Sequence, residues 1–278
     1  MVDVVQVISD AFSTYREKWR EVIVPFLVLF AIAFVFGLAS FGLSMTRQFA
    51  CDSDNPYILL GLCLAPQIVQ MLMAMVESFV GLVVIMAVLF PLWELAQGKK
   101  ASVWTEYLGP QLFNAIKVIL LRLALTIIAA LPIVIFVVLE IGIIIATLKA
   151  GGGLGGILAM GSIFVFLLVI LVTVVLMMVI NFLLTFLEIE VVINRRGVIA
   201  AMRASYERVV SNLLGVFLFN VVWWLLGLGV GILTLALVCT LCLAPIGWMI
   251  SPLIVTPVMW ISRLLLWKEL GGAKAKKA

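Results

Sequence analysis

Residues 22–45, VIVPFLVLFAIAFVFGLASFGLSM, run for 24 positions without a charged side chain. As a helix rising 1.5 Å per residue, the stretch is about 36 Å long, enough to cross a hydrocarbon core of about 30 Å. The same character extends through the chain, in which 65% of the 278 residues are apolar and 12% charged. A soluble domain carries about 25% charge and 45–50% apolar residues. With a mean hydropathy of +1.32, the sequence specifies an all-α polytopic membrane protein.

Working outward from this first span, residues 1–20 place Val4 or Val5, Ile8, Ala11 or Phe12, Tyr15 and Trp19 at spacings of three and four. This is the pattern of an amphipathic helix lying on a membrane surface. The same residues carry charge throughout, which does not fit a cleavable signal peptide. Beyond the polar loop 47–57, the apolar region 58–97 is about twice as long as one crossing needs. Residues 77–97 suffice for the return, and 58–76 read either as a break near Pro66 followed by a long tilted helix or as a short re-entrant segment. A second surface segment precedes a third span that starts near Lys117 and kinks at Pro132, and a fourth covers roughly 160–187. A third surface helix, 197–211, leads to spans at about 213–238 and 246–267.

Six spans with both termini cytoplasmic leave only Arg47 and Lys149, of the 18 basic residues, on the outer side. The opposite orientation violates the positive-inside rule. An offset of 191 aligns Val7, Ile8, Tyr15, Phe26 and Leu27 with Val198, Ile199, Tyr206, Phe217 and Leu218. The chain therefore reads as one integral membrane domain of three surface-helix and hairpin units, about 1–97, 98–190 and 191–270, with a basic tail at 271–278.

Histidine is absent, which removes imidazole acid–base chemistry, His-dependent nucleophiles and the commonest transition-metal ligand. The expectation is no enzyme, no metal and no cofactor. A net charge of +4 without a basic, aromatic-interleaved stripe gives no footprint for nucleic acid. Glu77 and Glu140 are the sharpest candidates for a ligand or ion pathway, because a carboxyl within an apolar stretch is costly; counting from the inner boundaries puts both near the outer interface. Arg122 joins them, with three open roles: pairing with Glu94, pairing with Glu188, or snorkelling to inner-leaflet phosphates. Arg16, Lys18, Arg20, Arg195, Arg196, Arg203 and Arg208 form a candidate belt for anionic headgroups. Cys51, Cys63, Cys239 and Cys242 all fall on the outer side and are candidates for disulfides in any of three connectivities; a Cys-x-x-Cys redox pair or four-thiolate zinc site, and buried apolar thiols, are the alternatives. The run GGGLGG at 151–156 lacks the Gly-Lys-Ser/Thr ending of a phosphate loop and reads as a flexible turn. Asn181, Asn220, Gln67 and Gln70 read as interhelical hydrogen-bonding groups.

The stretch from Glu188 to Asn220, containing GVIAAMRASYERVVSNLLGVFLFN, resembles the membrane domain of glycerophosphodiester phosphodiesterases and a wider set of six-span prokaryotic membrane proteins. The shared motif is Ala201 to Tyr206 on the surface helix before the fifth span. The resemblance implies a six-span architecture. The catalytic barrel of some relatives has no counterpart here, so no catalytic residue transfers.

The leading expectation is a multi-pass protein of the cytoplasmic (inner) membrane that handles or transports a lipid or hydrophobic solute, with membrane lipids as partners. A structural or accessory subunit, packed against itself or another membrane protein, is the alternative. A proton- or cation-coupled carrier using Glu77 and Glu140 is third.

Overall fold

The computed structural model describes residues 2–50, 56–150, 155–239 and 249–271, with side chains for 2–44, 66–142, 165–237 and 249–271. The described residues fold into helices α1 (Val4–Ala50), α2 (Pro56–Ala96), α3 (Leu108–Ala150), α4 (Gly155–Leu183), α5 (Leu187–Val192), α6 (Val198–Ser211), α7 (Leu213–Cys239) and α8 (Thr256–Glu269). A 3-10 turn, Trp104–Tyr107, precedes α3, and a π turn, Ser251–Val255, leads into α8. Five helical stretches are long and apolar enough to cross a membrane, in α1, α2, α3, α4 with α5, and α7. The protein is a multi-pass helical membrane protein. The stretch expected as a sixth span, 246–267, holds the π turn and most of α8 and is not among these five; residues 240–248 lie outside the described residues.

The Asp3 carboxylate accepts hydrogen bonds from the Val5 and Gln6 N–H groups, both at 3.1 Å, filling two of the open donors of a helix start. The apolar stripe then turns inward, with Val4, Val7, Ile8 and Ala11 buried in the core, and α1 packs against both α2 and α8. The apolar stripe of this segment therefore meets protein, while Phe12, Arg16, Trp19 and Arg20 stay exposed. Helical geometry lapses at Lys18 (φ −114°, ψ 18°), so the amphipathic segment and the span leave at different angles. A similar break at Asn212 (φ −131°, ψ 37°) separates α6 from α7. Region 56–96 forms one helix containing Pro66 and Pro91, which decides against a re-entrant segment.

Tyr15 makes a further tie. Its hydroxyl donates to the Leu253 carbonyl at 2.6 Å. In an α-helix that carbonyl would take the N–H four residues on, but residue 257 is proline, which has none. The tyrosine gives that carbonyl a side-chain donor and ties α1 to the π turn.

Burial is concentrated at one end of the bundle, in Val83–Leu95 of α2, Leu184–Ile193 around α5 and Leu253–Trp267 around α8. Trp93 and Trp267 meet there edge to face, ring centres 5.4 Å apart. Among the described side chains, 27–44, 66–82 and 224–237 contain none that is fully buried, and Ala129 and Thr173 are the exceptions in 119–142 and 165–183. Apolar surface of this extent has its counterpart in lipid tails.

Candidate functional site

The charged end of the bundle is organised by α5, a six-residue helix whose every residue is buried. The chain turns at Leu184–Phe186 between α4 and α5, which would leave backbone groups unpaired in a dry interior. Ser205 of α6 covers them, accepting from the Phe186 N–H at 3.2 Å and donating to the Leu183 carbonyl at 2.8 Å. The short helix carries Glu188 and Glu190. Two residues apart is about 200° around a helix, so the carboxylates face opposite sides.

Glu190 is fully buried and saturated. Its Oε1 accepts from Trp267 Nε1 at 2.9 Å and pairs with Arg208 Nη2 at 2.7 Å. Its Oε2 accepts from Asn194 Nδ2 at 2.7 Å and faces Arg196 Nη1 at 3.5 Å. The Arg208 guanidinium also lies over the Trp267 ring, 5.2 Å from its centre. Burial holds the Arg208 pKa below the usual arginine value, with Glu190 opposing and Arg196 adding to the shift. Arg208 is therefore corrected from the headgroup belt to a core cation. Arg16, Arg20 and Arg195 are exposed and Lys18 half-buried, Arg203 pairs with Glu207 on the surface, and Arg196 is partly drawn in.

Glu188 is different. Its Oε1 pairs with Arg122 of α3, while its equally buried Oε2 has no hydrogen-bond partner among the described residues. Of the three roles open to Arg122, the pair with Glu188 is the one formed; Glu94 is engaged at the end of α2, accepting from the Ser102 N–H at 2.8 Å. Arg263 of α8 lies within electrostatic reach of both Glu188 and Arg122. It makes no ion pair among the described residues and instead sits over the Trp260 ring, 4.9 Å from its centre.

Arg122 and Arg263 stand at a cavity of about 1000 Å³ walled by α4 and the turn after it, from Thr173 to Thr185, and α7, from Leu213 to Trp224. The two walls meet edge to face at Phe182 and Phe217, ring centres 6.4 Å apart. Val174, Met178, Leu213, Phe217 and Trp224 line the space and are also roughly half exposed, so it is a groove open on its flank. Polar groups in the walls are few. Thr173 Oγ1 is buried without a partner among the described residues. Asn181 and Asn220 donate to the carbonyls of Met177 and Val216, four residues back on their own helices, a correction to the interhelical expectation.

Glu77 and Glu140 are half-buried on α2 and α3 and are not among the groove's lining residues. The described residues contain no acidic or thiol cluster suited to a metal ion. Cys51 and Cys242 lie outside the described residues, as do the side chains of Cys63 and Cys239 and most of the run at 151–156. Sequence reasoning missed Arg263 and Thr173. The signal for Arg263 was present, since a lone arginine inside an apolar run is the argument that singled out Arg122.

No curated protein and no solved structure matches the chain. A family description does match, over residues 111–267, and that segment holds Arg122, both α5 glutamates, Arg208, Arg263 and Trp267. On that match, which covers more than half of its length, the chain belongs to the family named domain of unknown function DUF7847.

Proposed function

We propose that the protein handles a lipid, received sideways from the bilayer into the groove between α4 and α7. The observation carrying this reading is the form of that groove: about 1000 Å³ in volume, apolar along its walls, open on its flank and charged at one end. Ligand cavities usually run from about 300 to 1000 Å³, so the space suits a large amphiphile. The wall from Leu213 to Trp224 rises about 17 Å, close to the roughly 15 Å of one leaflet's hydrocarbon. With six spans and the basic surface segments on the cytoplasmic side of the inner membrane, the groove belongs to the inner leaflet.

Native mass spectrometry of the protein extracted in its own lipids tests this. The expected result is a monomer or small oligomer that retains lipid after the bulk detergent is stripped. A lipid-free multi-subunit assembly would overturn the reading in favour of a scaffold. Reconstitution with fluorescent lipids, quenched from outside the vesicle, then separates holding from moving: one leaflet's depth predicts binding without rapid exchange between leaflets. Glu77 and Glu140 have no part in this scheme, and replacing both with glutamine leaves lipid retention unchanged.

A further inference from the structure

We infer that the charged end of the groove selects a lipid whose headgroup is a phosphodiester monoanion, held by Arg122 and Arg263. This rests on the lipid reading above and adds the class of headgroup. Arg122 and Arg263 both line the groove, and Glu188 pairs with Arg122. Two cations against one carboxylate leave one positive charge without a counter-ion among the described residues. Charge inside an apolar setting is costly unless paired, and an anion of charge −1 supplies what is missing.

The hydrogen-bonding inventory agrees. A guanidinium has five N–H donors. Arg122 spends its contact on one Glu188 oxygen and keeps 42% of its side chain exposed, while its Nε and the Nε of Arg263 have no acceptor among the described residues. Phosphate oxygens are the natural acceptors for guanidinium forks. Glu188 stands behind Arg122, and its carboxylate fixes that guanidinium. The walls beyond the arginines, through Met178, Phe217 and Trp224, are apolar over the length of a leaflet, which commits the occupant to an anion with acyl chains instead of free phosphate.

The test is native mass spectrometry of the full chain in detergent, titrated with an equimolar mixture of dioleoyl phosphatidylglycerol and dioleoyl phosphatidylcholine. The wild type is expected to retain the anionic lipid at least about fivefold over the zwitterionic one. Arg263→Gln, at a residue without an ion pair among the described residues, is expected to bring that ratio close to one. Since Arg122→Gln strands Glu188 and threatens folding, the paired variant Arg122→Gln with Glu188→Gln replaces it; the preference is expected to fall only in part, because Arg263 keeps its charge while the second guanidinium is lost. Equal retention of both lipids by the wild type would overturn the headgroup inference and leave the groove reading intact. Retention of neither would overturn both. A preference that survives both variants would place the anion elsewhere. Displacement of phosphatidylglycerol by millimolar inorganic phosphate would overturn the commitment to a lipid.

Discussion

Glu188 and Glu190 sit two residues apart on one buried turn of helix and have opposite surroundings. Glu190 is ringed by Arg208, Arg196, Asn194 and Trp267, so both oxygens are occupied. Glu188 has Arg122 on one oxygen and no partner among the described residues on the other, with a cavity beyond the arginine. A saturated buried carboxylate contributes to a unique packing, whereas an under-coordinated one beside an excess of cations leaves chemistry open to a ligand. One short helix thus separates the part of the molecule that holds the fold from the part available for binding.

The comparison breaks most visibly at Glu190. Replacing it with leucine strands the buried Arg208, and removal of one partner from a buried pair costs about 3–5 kcal/mol. The expected outcome is a steep fall in thermal stability in detergent. Arg208→Met with Glu190→Leu should recover part of the loss, and a double-mutant cycle measures the coupling. The Glu188→Gln variant is milder, at about 1 kcal/mol, because its arginine partner is partly exposed. It also raises the net charge at the groove from one positive to two, so retention of phosphatidylglycerol should rise where Glu190 variants lose protein. Tyr15→Phe lies away from both carboxylates and leaves the Leu253 carbonyl without its side-chain donor, for about 1–2 kcal/mol, with lipid selectivity unchanged.

The smallest effect is at Glu269. Burial and the nearby Asp10 and Asp3 raise its pKa, against Lys268. A raised carboxylate pKa means that the folded chain binds that proton more tightly than the unfolded chain, so this group's contribution becomes more stabilising as pH falls through the raised pKa. Glu269→Gln is expected to raise the melting temperature slightly at neutral pH. The gap from wild type should close on acidification, as protonation removes the same repulsion.

Much of the architecture was legible because hydropathy and length suffice for a membrane span, and because Val4, Ile8 and Ala11 keep helical spacing whether they meet lipid or protein. Which of the two they meet was not legible: that depends on α8 arriving beside them. The candidate site divides in the same way. Arg122 stood out as a charge in an apolar run, but its choice of Glu188 follows from the turn at Leu184–Phe186, which carries α5 into the core. Arg208 reads in sequence like any cytoplasmic arginine and is buried only because Glu190 and Trp267 converge on it. The aligned tyrosines make the point sharply. Tyr15 caps a carbonyl across a helix contact, while Tyr206 is half exposed. The groove has no sequence signature, since it is the space left where α4 and α7 part.

The one-ended core gives the molecule a mechanical character. Helices clamped at one end and bathed in lipid along the remainder behave as cantilevers, whose deflection under a given load grows steeply with free length. Changes in bilayer thickness or lateral pressure then act with most leverage far from the clamp and arrive at the α4–α7 junction as a change in spacing.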